Sequence, residues 1–123
     1  MELPKRERTF IFTHTGESGV KYDGSFTVKC RLNVAEKYQL ELEKSKLTSD
    51  MSNPSPGLAG FAIALSSLRT KITDAPEWWK QSRGLIEDED TLLALYDEVE
   101  KASIEWRKEL DAKAKEADVK LGK

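Results

Sequence analysis

Hydrophobic residues recur at helical spacing through most of this chain and alternate only near its start. Leu92, Leu95, Tyr96, Val99, Ala102, Ser103, Trp106 and Leu110 follow one another at three- and four-residue steps. That spacing puts them on one face of an α-helix running from about Asp88 to Asp111, with continuation toward Ala117. Leu58 to Ile72 predicts a second helix with Leu58, Phe61, Ala62, Leu65, Leu68 and Ile72 on one face. Ala59, Ile63 and Ala64 broaden that face, so the helix is expected to be the centre of the core. Arg69 and Lys71 near its C-terminus complement the helix dipole. A third helix is expected from about Val34 to Leu47, with Tyr38 and Leu42 on its best apolar stripe and Leu40 and Leu47 flanking. Asn33 with Glu36 three residues later has the form of a capping box, a cap worth about 1 kcal/mol.

The alternating part comes first. Arg8 to Thr13 places Phe10 and Phe12 on one side, and Ser25 to Leu32 places Phe26, Val28, Cys30 and Leu32 on one side. Thr15-Gly-Glu-Ser-Gly and Tyr22-Asp23-Gly24 both carry turn chemistry between them. The result is an antiparallel hairpin, which is marginal alone and must lay its phenylalanine face on the helices. Thr48 to Gly57, with two prolines and no period, reads as a long loop. In Asp74-Ala-Pro-Glu-Trp-Trp, Pro76 suits the first turn of a short helix that Gly84 ends. The expected fold is α+β and mostly helical. An N-terminal antiparallel β-hairpin packs on a small bundle of three main helices plus a short Trp-Trp helix. Residues 1–123 form a single domain with loose ends at 1–7 and 111–123.

Composition narrows the function classes. At 123 residues the chain can bury roughly two-thirds of its unfolded surface and needs no disulfide or metal to fold. Fourteen leucines and ten alanines favour helix over sheet. Twenty basic against 22 acidic residues leave no basic stripe for phosphate contacts, which argues against nucleic-acid binding. One cysteine, Cys30, and a polar N-terminus without an apolar leader point to the cytoplasm. The longest apolar run, Gly57 to Leu65, is too short to span a bilayer.

Candidate chemistry is thin. Glu87-Asp88-Glu89-Asp90 supplies four carboxylates, but neighbouring acids on a helix start point in different directions and lack calcium-loop spacing. They read as acids placed at a helix N-terminus, where the dipole favours them. His14, the single histidine, stands at a strand end without a recognisable nucleophile and companion acid. A Cys30/His14 pair across the hairpin is a geometric option. Phosphate loops, CxxC and HExxH are not found, so neither enzyme activity nor a cofactor is expected. Trp78 and Trp79 project about 100° apart within one turn. One reading packs Trp78 inside with Trp79 half covered by a loop; the other makes one of them an aromatic anchor for a protein partner. The basic residues at 5–8 read as a solvated terminus.

Several of these stretches resemble the tail assembly chaperones of long-tailed bacteriophages. The likeness runs from Gly24-Ser-Phe-Thr-Val-Lys-Cys-Arg-Leu through the capped helix at Asn33-Val-Ala-Glu36 and the apolar middle helix. It continues in Asp74-Ala-Pro-Glu-Trp-Trp, Leu92-Leu-Ala-Leu-Tyr-Asp-Glu-Val and Glu105-Trp-Arg before a charged tail. The resemblance implies a non-enzymatic, mostly helical protein of the host cytoplasm. Such a protein binds the tape measure protein and keeps it soluble while tail tube subunits assemble. Family members are often made in a short form and a frameshift-extended form. A virion structural protein, such as a minor tail or baseplate component, is the alternative; a small nucleic-acid-binding regulator comes after it.

Past Trp106 the apolar residues thin to Leu110, Ala114, Ala117 and Leu121, a stripe as narrow as a coiled-coil seam. The expectation is that residues 111–123 fray alone and order against a helical partner or a second copy of the chain. The expected partner-binding set is therefore Trp78, Trp79, Trp106, Leu110, Ala114, Ala117 and Leu121.

Overall fold

The hairpin forms as two nine-residue strands, β1 (Glu7–Thr15) and β2 (Lys21–Lys29), in the computed structural model, which describes residues 5–49 and 56–120. Its register pairs Phe10 with Phe26, Phe12 with Gly24 and His14 with Tyr22, so the alternation expected from the phenylalanines holds. The turn is not where both signals put it. Tyr22-Asp23-Gly24 belongs to β2, and only Gly16 to Val20 turns, closed by the Gly16 amide on the Val20 carbonyl at 2.9 Å. A third strand, β3 (Ile72–Asp74), adds antiparallel to the other side of β2 with an irregularity between Thr27 and Val28. The sheet order is β1-β2-β3, and its inner face carries Phe12, Tyr22, Phe26 and Val28, all buried.

Four helices follow the hairpin. α1 (Val34–Thr48) starts at the expected capping box: Asn33 Oδ1 accepts from the Glu36 amide and Glu36 Oε1 from the Asn33 amide, both at 2.8 Å. α2 (Pro56–Lys71) takes Pro56 and Gly57 from the expected loop; positions 50–55 lie outside the described residues. Ala62, Ala64, Leu65 and Leu68 are buried on α2, with Ser66 and Ser67 buried beside them. Ile63 is exposed, so the broadened face is real on one side only. Ile72 leaves the helix to begin β3. α3 (Glu77–Ser82) has Pro76 as its N-cap rather than in its first turn, and ends where Arg83 and Gly84 take positive φ of 53° and 89°. α4 (Glu89–Lys120) spans 32 residues, about 48 Å at 1.5 Å per residue. It runs beyond Asp111, so residues 111–120 continue the helix.

The layers follow from which faces are apolar. α4 and α2 cover the inner face of the sheet, and α1 lies against α2. Leu92, Leu95, Val99 and Trp106 are the buried residues of the α4 stripe. Arg69 and Lys71 do more than answer the α2 dipole. Arg69 donates to the Arg83 carbonyl at 2.9 Å and reaches Glu43 at 3.4 Å, while Lys71 pairs with Glu100 at 2.9 Å. The basic start is likewise tied down: Arg6 pairs with Glu36 at 3.0 Å and Arg8 pairs with Glu109.

The two adjacent tryptophans exchange their expected roles. Trp79 is the buried one, set against Phe26 with ring centres 6.2 Å apart. Trp78 is half-buried, 5.1 Å from the Tyr22 ring and 5.6 Å from Phe26, and its indole donates to the Asp23 carbonyl at 2.9 Å. That acceptor satisfies the indole N–H where the ring meets the sheet, and an edge-to-face pair adds about 0.5–1.5 kcal/mol beyond area. Both rings therefore serve the core. A partner anchor on this segment would have only the outer edge of Trp78 to use.

Candidate functional site

α1 packs on the body without burying any of its residues. Leu47 is partly buried against the core and Leu40 is half-covered, whereas Val34, Tyr38 and Leu42 remain outside, Tyr38 with 64% of its surface exposed. The stripe that looked best for packing is the one left in water. Between this helix, the segment after β2 and the later half of α4 lies a groove of about 670 Å³. Its floor is apolar: Cys30, Leu32 and Trp106 are buried there, and Leu40 and Ile104 line its sides. Burial pushes the Cys30 thiol up from its ordinary value, as expected for a small hydrophobe rather than a nucleophile.

The rim of the groove is cationic. Arg31, Lys37, Lys71, Arg107 and Lys108 stand around it, and among the described residues that line it none is acidic, although Glu105 is near enough to raise the Cys30 thiol a little further. Lys71 is partly neutralised by Glu100. The other four carry no ion pair within the described residues, so their charge faces solvent. Ser103 also lines the groove, and its Oγ is buried without a hydrogen-bond partner among the described residues.

At the opposite end of α4 a second polar cluster joins the hairpin turn to the helix start. Asp88 is buried and accepts from the Ser18 amide at 2.8 Å, the Ser18 hydroxyl at 2.6 Å and the Tyr22 hydroxyl at 2.9 Å. These bonds, the Ser18 hydroxyl first, hold its carboxyl below the ordinary aspartate value of 3.8 despite burial. Burial, and then the bond to Asp88, push the Tyr22 phenol above its ordinary value of 10.0. A side chain at Gly16 would sit 2.4 Å from the Asp88 carboxyl, so only glycine lets the turn close on it. Asp88 is thus a clamp between turn and helix, its two oxygens taken up by Ser18 and Tyr22. Among the described residues no three acidic, histidine or cysteine side chains converge as a metal site.

That clamp yields a pH prediction. A carboxyl whose folded value is depressed contributes stability above its unfolded value and loses it as pH falls through the folded one. Asp88→Asn should lower the unfolding midpoint by several degrees at neutral pH, more than Ser18→Ala or Tyr22→Phe alone. It should also flatten the acid limb of stability below about pH 4, where aspartates titrate. Thermal unfolding of parent and variant across that limb checks it; parallel acid limbs would show that Asp88 is not the group responsible.

His14 meets the same region. Its Nδ1 lies 2.9 Å from Thr91 Oγ1, and its Nε2 lies 3.8 Å from Asp90. Hydroxyl, imidazole and carboxylate in sequence resemble the parts of a nucleophilic site. Thr91 is fully buried at 0% exposure, however, so its hydroxyl cannot meet a substrate. Cys30 is no companion either: it lies at the far end of the hairpin, its amide bonded to the Arg6 carbonyl. Eight residues of strand separate it from Tyr22, the partner of His14, or roughly 25 Å at 3.3 Å per residue.

Of the expected partner-binding residues, Trp106 is buried and lines the groove, and Leu110, one turn further along α4, is half-buried and does not line it. Ala114 is exposed on the projecting part of α4. The side chain of Ala117 and all of Leu121 lie outside the described residues. The residues missed are Arg31, Leu32, Lys37, Leu40, Ile104 and Arg107, which come from three separate elements. Their one local signal is the change from apolar to basic after Trp106, at Arg107-Lys108. No helix within the described residues is long and apolar enough to cross a membrane. Comparison with protein-family models, with curated proteins and with solved structures finds no match for this chain.

Proposed function

We propose that this protein is a tail assembly chaperone of a long-tailed bacteriophage, acting without catalysis in the host cytoplasm to hold the tape measure protein soluble while tail tube subunits assemble. The observation that supports this reading best is the state of α1 and α4. One helix buries none of its residues and leaves Val34, Tyr38 and Leu42 exposed; the other carries Ile104, 54% exposed, beside a groove with an apolar floor. Apolar surface shared between two helices is the kind of place where a third helix can lie.

Co-expression with the tape measure protein of the same tail operon tests the reading. The tape measure protein should stay soluble and co-purify with the chain, and the chain should be missing from finished virions. A chain found as a stoichiometric virion component would make it a structural tail protein instead. Deletion of residues 111–123 should leave folding stability within about 0.5 kcal/mol of the parent, because Asp111, Ala112 and residues 114–116 are exposed and surface changes are small. Recovery of the tape measure protein should nonetheless fall. Denaturant titration and quantitative pull-down of the same truncated chain measure the two effects.

A further inference from the structure

The groove's chemistry specifies its occupant more narrowly than an apolar surface alone. Resting on the reading of this chain as a binder of helical segments, we propose that the groove between α1 and α4 takes an acidic amphipathic helix from the partner, with its apolar stripe on Leu32, Leu40 and Ile104 and its carboxylates against Lys37, Arg31 and Arg107.

Three features argue for this. The first is charge complementarity. The chain as a whole is slightly acidic, at −2, yet five of the described residues lining the groove are basic and none is acidic. The acids beside it are Glu100, paired with Lys71, and Glu105, close enough to Cys30 to act on its thiol. That leaves Arg31, Lys37, Arg107 and Lys108 without an ion pair among the described residues. Charges of one sign collected on an apolar cleft of an acidic protein select a partner of the other sign and speed its arrival. The second is that the cations sit on opposing walls: Lys37 comes from α1 and Arg107 from α4, with Arg31 on the segment after β2 between them. A helix lying between the walls meets cations on both flanks, so its acids must flank an apolar stripe on both sides. The third is the floor. Leu32, Cys30 and Trp106 are buried where they line the groove, and Leu40 and Ile104 add further apolar surface to it. A nucleic-acid backbone would gain nothing from that floor, and it would approach a chain with 22 acidic residues.

Two peptides of about 20 residues, long enough to hold a helix, make the test. Both carry the same leucine stripe; one has glutamate at the flanking positions and the other lysine. Binding to the full chain is followed by fluorescence anisotropy. The glutamate peptide should bind at least about tenfold more tightly than the lysine peptide. Its affinity should weaken by about tenfold as salt rises from ~50 to ~500 mM, because exposed charges are screened over that range. The double variant Lys37→Glu, Arg107→Glu changes two exposed side chains that make no ion pair among the described residues, so it should fold as the parent does, and it should reverse the preference.

Several results would overturn the proposal: no binding of either peptide, equal binding of both, or tighter binding of a short DNA duplex. So would self-association that the double variant abolishes, because the groove would then hold a second copy. Failure here is separable from failure of the chaperone reading. If the double variant still captures the tape measure protein as the parent does, the chaperone reading stands and the groove is not its site. If the glutamate peptide binds as expected but the tape measure protein does not, the groove keeps its ligand class and the chaperone reading falls.

Discussion

Phe26→Ala is expected to lower the unfolding free energy by about 4 kcal/mol, the largest effect of any single truncation in this protein. Phe26 is fully buried on the central strand. Its ring meets Phe10 at 5.9 Å, Phe12 at 6.0 Å, Trp78 at 5.6 Å and Trp79 at 6.2 Å. Truncation removes one member of four aromatic pairs and opens a cavity under large rings that cannot close over it without moving α3. Rigid neighbours keep the cavity term large. For a domain of this size that loss corresponds to a fall of roughly 15 °C in melting temperature. Chemical denaturation with an unchanged m-value measures it. A loss under about 1.5 kcal/mol would mean that the aromatic cluster tolerates repacking and that the sheet is held to the helices elsewhere.

Leu65→Ala should cost about 3 kcal/mol, and Phe61→Ala clearly less, although phenylalanine is the larger residue. Leu65 is at 0% exposure in the middle of α2, and one of its methyls lies where a side chain on Gly84 would go, 2.5 Å from that position. The tight contact with the α2-facing side of the α3 terminus leaves no room for the site to collapse gently. Phe61 is half-buried at the edge of the core, so much of its transfer energy is never gained. Denaturation midpoints of the two variants give the order directly. Phe61→Ala as costly as Leu65→Ala would show that the α2 N-terminal half is packed more deeply than its exposure indicates.

Local chemistry was legible in the sequence wherever one short stretch carried its own signal. The Asn33/Glu36 capping box needs only four residues and forms as written. The Phe10/Phe12 and Phe26/Val28 alternation fixes which face of the hairpin turns inward, because a pleated strand allows no other choice. The α4 stripe was legible for the same reason, and Leu92, Leu95, Val99 and Trp106 are buried as its period requires.

What was not legible depends on partners distant in the chain. Ile72 to Asp74 is too short to show a period, and it becomes a strand only because β2 offers an open edge beside the end of α2. Trp78 and Trp79 are indistinguishable by type. Which one is buried depends on the angle at which Pro76 and Gly84 set α3 against the sheet. Asp88 looks like its acidic neighbours, and only the arrival of Ser18 and Tyr22 from 70 and 66 residues away makes it a clamp. On α1 the spacing made Tyr38 and Leu42 the best apolar stripe, with Leu40 and Leu47 only flanking it. Contact with α2 selected the side bearing Leu40 and Leu47, which exposes Tyr38 and Leu42. The groove is the extreme case, since its residues come from α1, the segment after β2, the end of α2 and α4.

Amide hydrogen exchange of the chain with and without the tape measure protein tests whether a partner helix lies between α1 and α4. Bound partner should slow exchange in α1 around Lys37 to Leu40 and in α4 around Ser103 to Lys108, where the groove walls lie. The hairpin turn at Gly16 to Val20 and the helix start around Asp88 should exchange at the same rate in both states. Protection confined to that turn and helix start, or an exchange pattern identical with and without the tape measure protein, would contradict the account.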